Sequence, residues 1–253
     1  MPTRRLLAIA VVAGLPLLLA SCSRIYSNGH QFRDANAFAA LKQDGSVVAW
    51  GSPTRGGDPS CVLAVSCAPA PAGSLSSGIV DIASSHGAFA AITSTGRVIP
   101  WGGVAFGGDP DCATGATCSP ALSGSLVSGV ARVFSTYQAF AALRADGSVV
   151  TWGETEFGGN SDCVATAGNP CSPAPAGSLA SGVADVFGGY SAFAALRSDG
   201  SVVSWGSPAF GGDSSSPVGG TLTGIAGITP NGGAFAARTA SGARTSSRTA
   251  SSG

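Results

Sequence analysis

The chain has 253 residues, room for one large domain or two small ones, and its 13 basic and 13 acidic side chains balance. With 44% apolar residues and 38 glycines it has the apolar content of a folded chain and the turn content of an all-β one, which excludes a disordered, charge-rich chain. Lys42 is the single lysine, so there is no lysine-rich surface to track phosphates, and no nucleic-acid partner is expected.

Arg4 and Arg5 precede a 15-residue apolar stretch, Leu6 to Ala20, broken by Pro16. A positive start and an apolar run of this size read as a secretory signal, since a spanning helix needs about 20 apolar residues. The stretch ends Leu19-Ala20-Ser21-Cys22. This resembles the lipobox of bacterial lipoproteins, in which cleavage before the cysteine leaves it as a lipid-modified N-terminus. The resemblance implies a signal peptide over 1–21 and acyl chains on Cys22, which would hold the mature protein on a membrane without crossing it. Ser23 stands where an aspartate would signal inner-membrane retention, so the expectation is an exported protein in the cell envelope, at the outer membrane or the periplasmic face. An uncleaved anchor or a secreted soluble form is the alternative. Removing residues 1–21 leaves 11 basic against 13 acidic side chains, so the mature body is mildly acidic.

Residues 22–36 read as a linker or partial strand. From residue 37 one block recurs. It is written Ala139-Phe-Ala-Ala-Leu-Arg-Ala-Asp-Gly-Ser-Val-Val-Thr-Trp-Gly153 in its third copy, with others from Ala37, Ala88 and Ala192 and the start of a fifth at Ala234. Phe38, Phe89, Phe140 and Phe193 are 51, 51 and 53 residues apart. A fixed period of this length is the mark of a repeat architecture. Within a copy, Phe140 to Arg144 and Ser148 to Trp152 are expected to form a hairpin, with Asp146-Gly147 as a two-residue type I′ turn. Ala-Phe-Ala-Ala-Leu is apolar on both strand faces, so each hairpin should be packed between two neighbouring sheets. The segments Ser77–Ile82, Ser128–Phe134 and Ser181–Phe187 supply a third strand, and the irregular stretch after Trp-Gly could supply a fourth. Stacked units of three or four strands describe an all-β propeller, with the alanines expected near its axis and the tryptophans further out; a solenoid is the structural alternative.

The motif Ala-Leu-x-x-Asp-Gly-x-Val-x-x-Trp-Gly, at Ala142–Gly153 and Ala195–Gly206, together with the preceding Ser-Gly-Val-x-x-Val and the Phe-Gly-Gly at 106–108, 157–159 and 210–212, resembles the regulator-of-chromosome-condensation repeat family. That resemblance implies β-propeller blades over about residues 37–237. Such propellers serve as exchange factors, ubiquitin-ligase modules and enzyme inhibitors, so it implies fold more than function. Four full blades and a truncated fifth fall short of the family's seven, and an open or incomplete propeller is expected. After Ala237 the pattern is lost, with no Val-Val and no Trp, as a truncated or frame-shifted repeat array would leave it. Residues 238–253 read as a disordered tail.

Three cysteine pairs, Cys61/Cys67, Cys112/Cys118 and Cys163/Cys171, follow Gly-Gly-Asp or Gly-Gly-Asn at one place in the repeat, and Ser214-Ser-Ser216 replaces the fourth. In an exported chain they read as within-loop disulfides. A zinc site would favour closer spacing and four ligands, so no metal and no cofactor is expected. The acidic residues of these loops, Asp58, Asp109, Asp111, Asp162 and Asp213, are too sparse for a calcium loop. No nucleophile elbow and no phosphate-binding loop is present, and the chain reads as a non-enzyme. The positions that vary between copies are the candidates for binding. They are His86, Tyr137 and Tyr190 in the loop ahead of each hairpin, and Arg55, Phe106, Phe157 and Phe210 after each Trp-Gly, although the phenylalanines could equally pack between blades. The reading is a non-catalytic lipoprotein that presents a propeller surface to a protein or surface partner. A carbohydrate-binding or hydrolytic propeller and a repeat fragment without independent function are the alternatives.

Overall fold

A computed structural model describes residues 22–27, 36–62, 66–112, 118–164, 170–214, 222–241 and 244–247. Residues 1–21, which carry the expected signal peptide, lie outside them. The first blade contains β1 (Cys22–Ser27), β2 (Ala37–Lys42) and β3 (Val47–Gly51). A two-residue strand, β4 (Cys67–Ala68), leads into the second blade, β5 (Ile79–Ser84), β6 (Ala88–Thr93) and β7 (Val98–Gly103). Another, β8 (Cys118–Ser119), leads into the third, β9 (Val130–Ser135), β10 (Ala139–Arg144) and β11 (Val149–Glu154). The fourth blade is β12 (Val183–Gly188), β13 (Ala192–Arg197) and β14 (Val202–Gly206), and the fifth is β15 (Ile225–Pro230), β16 (Phe235–Thr239) and β17 (Arg244–Ser247). All pairings are antiparallel, and the sheets stack as propeller blades.

The two-faced hairpin of the sequence is realised. Ala139, Ala141 and Leu143 pack downstream against Phe193, Ala195, Val203 and Trp205 of the fourth blade. Phe140, Ala142 and Trp152 pack upstream against Ala88, Ala90 and Val98 of the second. The alanine strand is the middle strand of each blade, not the axial one. The first strands are the ones that converge: Ser84 Oγ donates to Ser27 O at 2.9 Å and Ser135 Oγ to Ser84 O at 2.6 Å. Alanine is needed between sheets because it lets neighbouring blades approach closely.

The hairpin turn differs from the expected type I′. Gly147 N donates to Arg144 O and Arg144 N to Ser148 O, leaving the three-residue loop Ala145-Asp146-Gly147. Only Gly147 has positive φ (79°), as in a type I turn closed by a left-handed residue. The register explains the choice. Phe140 lies opposite Trp152, which puts both rings on one buried face. A two-residue loop would slide Phe140 opposite Gly153 and separate the pair. Asp146 Oδ1 accepts from the Ser148 hydroxyl and N–H, and these bonds hold the carboxyl below its ordinary pKa; Asp44 and Asp199 are held the same way by Ser46 and Ser201.

The fourth strand comes from the preceding repeat. Cys67 pairs with Gly103, and Ser172 bridges to Gly206, so each cysteine loop ends on the outer edge of the next blade. Disulfides join Cys61 to Cys67 and Cys163 to Cys171. Cys112 is also disulfide-bonded, and the side chain of Cys118 lies outside the described residues. In the two six-residue spacings Cys61 and Cys112 take left-handed φ values of 53° and 51°.

The C-terminal segment departs from the expected disordered tail. Arg244–Ser247 forms the return strand of the fifth blade, with Phe235 opposite Ser247. Ladder bonds use backbone N–H and C=O, so the strand forms without the Val-Val and Trp of the other copies. Residues 248–253 lie outside the described residues.

Three stability predictions follow from this packing. Gly107 has φ 85° and a Cβ there would meet Phe140 Cδ2 at 2.7 Å, whereas Gly124, with φ 76°, has nothing within 4 Å. Gly124→Ala should cost about 1–2 kcal/mol of backbone strain alone, and Gly107→Ala about 1–3 kcal/mol more from overpacking. Equal urea midpoints for the two variants would refute the packing account. Reducing each disulfide should lower unfolding free energy by about 2 kcal/mol or less, read by denaturation with and without reductant. The turn carboxylates, with pKa values depressed on folding, add stability above the unfolded carboxylate pKa that is lost as pH falls through the folded value. Asp146→Asn should therefore flatten the acid limb of a stability profile recorded between about pH 5 and 2.

Candidate functional site

The second to fifth blades make a tight turn after their first strands. Ser85 N, Thr136 N and Gly189 N donate to the carbonyls of Ala88, Ala139 and Ala192 at 2.9, 2.9 and 2.8 Å. The next residue in each turn is His86, Tyr137 or Tyr190. Their main chains are linked across blades, His86 N to Tyr137 O at 3.0 Å and Tyr137 N to Tyr190 O at 2.9 Å. The linkage sets the rings in register. His86 stacks on Tyr137 with centroids 4.3 Å apart, and Tyr137 on Tyr190 at 4.9 Å.

The second candidate set stands on short 3₁₀ turns after the return strands of the first four blades, Pro53–Arg55, Val104–Phe106, Thr155–Phe157 and Pro208–Phe210. Each ends at a left-handed glycine, Gly56, Gly107, Gly158 or Gly211. The Ser85 hydroxyl donates to Phe106 O at 2.7 Å and the Thr136 hydroxyl to Phe157 O at 2.8 Å, so the turn that carries His86 or Tyr137 also fixes a phenylalanine. Phe106 meets His86 at 5.6 Å, Phe157 meets Tyr137 at 5.8 Å, and Tyr190 meets Phe210 at 5.4 Å. The Arg55 guanidinium lies 4.4 Å over the Phe106 ring, a cation–π contact. The seven candidates thus form one continuous arc on the side where the first strands end, although the sequence had assigned them to two separate loop sets. Burial pushes the Tyr190 phenol up, and the neighbouring Tyr137 adds to the shift, so it stays a neutral hydroxyl at physiological pH. In the fifth copy the slot is Gly232, so among the described residues the arc ends at Tyr190 and Phe210.

A second feature was not read from the sequence. The third described position of the first strands carries Arg24, Asp81, Arg132 and Asp185 in successive blades, alternating in sign. Arg24 pairs with Asp81 at 3.4 Å and Arg132 with Asp185 at 2.7 Å, and the Tyr26 hydroxyl donates to Asp81 at 2.7 Å. The signal could have been found by aligning the first strands of the copies. It bears on chemistry, because the two inner-strand carboxylates are each held by an arginine instead of facing each other.

Two concavities lie elsewhere. One of about 930 Å³ lies between the second and third blades, lined by Pro69, Pro71, Val98, Leu122 and Val127. Another of about 560 Å³ lies at the equivalent place between the third and fourth, lined by Leu122, Val149, Pro175 and Leu179. Because they recur with the blades and are built by the linkers between them, they are features of the scaffold. The arc joins a slot that reads His86, Tyr137 and Tyr190 in successive copies to one that reads Arg55, Phe106, Phe157 and Phe210. Among the described residues no cluster of three or more His, Cys, Asp or Glu side chains could hold a metal ion. Cys22, the expected lipidation residue, begins β1 with Lys42 as its strand partner.

No protein-family description matches the sequence, and no curated protein sequence matches it. Solved structures are similar. Yeast RCC1 (Prp20) bound to Kap60 aligns over 85% of this chain and 53% of its own, at 16% identity and a TM-score of 0.49. Prp20p from Saccharomyces cerevisiae, studied with its binding to Gsp1p and histones, aligns over 91% and 57% at 15% identity and a TM-score of 0.48. The ectodomain of the Physcomitrella patens receptor kinase CR4 aligns over 90% and 50% at 14% identity and a TM-score of 0.45. This chain spans about half the length of each of these three structures.

Proposed function

We propose that the protein is a non-catalytic, lipid-anchored component of the cell envelope that binds a protein partner through the arc of His86, Tyr137, Tyr190, Arg55, Phe106, Phe157 and Phe210. The observation that carries this reading is the joining of these seven loop side chains, the buried His86 among them, into one arc across successive blades. Aromatic rings and arginine supply contact area with few rotatable bonds, which is why they anchor protein interfaces. His86 stacks on Tyr137 and Tyr137 on Tyr190, so ring faces are spent within the arc. That favours a protein surface over a sugar, which would need an open ring face to stack on. The inner-strand acids Asp81 and Asp185 are each paired with an arginine, so neither is a ready proton acceptor. Export and anchoring rest on the N-terminal sequence and its lipobox-like end at Cys22.

Full-length protein with an affinity tag would be used to capture partners from envelope extracts. Tyr137→Ala should weaken capture of the principal partner by about tenfold or more, as expected for a central aromatic contact, while leaving far-UV circular dichroism unchanged. Leu122→Ser, on the rim groove, should leave capture intact. Undiminished capture by a folded Tyr137→Ala variant would reject the arc. Capture of glycans with no protein partner would turn the reading to carbohydrate binding.

A further inference from the structure

In the second, third and fourth blades the upstream sheet face is sealed by the preceding blade, and Trp101, Trp152 and Trp205 are fully buried. In the first blade the same face is only partly covered among the described residues, with Ala40 buried and Phe38 half-buried. Directly opposed residues of an antiparallel sheet share a face, which sets Ile25, Ala40 and Val48 in one row and Ser27, Phe38 and Trp50 in the next. Ile25 is 64% exposed, Val48 46% and Trp50 43%. Lys42, two residues beyond Ala40 on the same face, is the strand partner of Cys22. An apolar face with an indole at one margin and the chain's single lysine at the other has the make-up of a surface that sits at a membrane interface.

We infer that the upstream face of the first blade lies against the headgroup region of the membrane, with Trp50, Val48 and Ile25 toward the lipid. The inference rests on the reading of Cys22 as the lipid-modified N-terminus. Because β1 begins at Cys22, acyl chains there would bring this sheet to the bilayer with no spacer between anchor and blade. The indole N–H, which in later blades donates to a glycine carbonyl, would find carbonyl and water acceptors among the headgroups. Lys42 would meet anionic lipid.

A second copy is the weaker occupant. Head-to-tail docking would bring this face to the outer face of the fifth blade. Ala236 and Arg238 are exposed there, with Arg238 in the position held elsewhere by Leu41, Ile92, Leu143 and Leu196. An unpaired arginine buried against an apolar sheet is strongly unfavourable. A two-fold pairing of first blades would join faces of only about 250 Å², taking three strands about 4.8 Å apart and about five residues long. Stable dimers bury about 800 Å² per partner.

Trp50 is the exposed member of the chain's four tryptophans, so fluorescence reports on this face directly. Full-length protein purified from membranes would be reconstituted into phosphatidylcholine–phosphatidylglycerol vesicles with and without brominated acyl chains. Fatty acid on Cys22 would be checked by mass spectrometry. The expected result is a bromine-dependent loss of about a quarter of the emission, absent in Trp50→Phe, since Trp is the interfacial residue and the other three are sealed in the blades. Should Trp50→Phe misfold, acrylamide quenching of the wild-type protein gives the same test, with strong quenching expected in detergent and weak quenching in vesicles. Lipidated Cys22 with no bromine effect overturns the docking and leaves the anchor standing. A Cys22 without fatty acid, on protein that stays soluble, overturns the anchor reading first. Loss of acrylamide access that tracks protein concentration and dimer mass without lipid would assign the face to a second copy instead.

Discussion

Each buried tryptophan donates its indole N–H to a glycine carbonyl one blade upstream: Trp101 to Gly56, Trp152 to Gly107 and Trp205 to Gly158, all at 3.0 Å. A buried N–H without a partner costs about 1–3 kcal/mol, so the indole can be sealed between blades only because that carbonyl is in place. The glycine must be glycine, because its left-handed φ aims the carbonyl and a Cβ would strike the phenylalanine stacked beside the tryptophan. Donor and acceptor belong to different repeats. No repeat completes its own core, so stability is carried by neighbour contacts along the array.

The same bond disciplines the candidate site. Phe106 and Phe157 immediately precede the acceptor glycines Gly107 and Gly158, and Arg55 precedes Gly56. Whatever fixes the carbonyl therefore fixes the backbone of the arc residue beside it. The Ser85 and Thr136 hydroxyls then bind the same residues from the loop side. The arc is thus built on rigid scaffold positions, and its loop slot changes from His86 to Tyr137 while the backbone hydrogen bonding of the turn stays the same.

What could be read from the sequence is what the repeat states in side-chain pattern. Two apolar faces on Ala-Phe-Ala-Ala-Leu dictated stacked sheets, and the recurring loop slots singled out the arc residues. What escaped reading depends on relations between repeats. The Asp-Gly pair suits a two-residue turn locally, yet the register is decided by keeping Phe140 opposite Trp152. The segment 22–36 read only as a linker or partial strand, because Cys-Ser-Arg-Ile-Tyr-Ser shares little with Ser-Gly-Val-x-x-Val, though Cys22–Ser27 makes the same pairing. The return strand Arg244–Ser247 was missed because backbone pairing survives the loss of the side chains that advertise it. The alternating charges of Arg24, Asp81, Arg132 and Asp185 gain meaning only when successive first strands are known to touch.

The changes near the C-terminal end of the array share one physical direction. Serines 214–216 replace the cysteine pair, Gly232 replaces the aromatic of the arc, Arg238 replaces the leucine of the downstream face, and Ser247 lies opposite Phe235 where other copies set Trp opposite Phe. The downstream leucine, the disulfide clasp and the stacking ring each couple a blade to the one after it. What remains in the fifth blade couples backward: Phe235, Ala237, Ile225 and Ile228 pack on Ala192 and Ala194 of the fourth. The groups lost are the forward-coupling ones and the groups kept are the backward-coupling ones, so what holds the fifth blade is its contact with the fourth. The first blade has no such substitution. Its upstream face keeps the Val and Trp of an interior blade, and among the described residues Val48 and Trp50 stay exposed there, whereas the equivalent Trp101, Trp152 and Trp205 are sealed by a preceding blade.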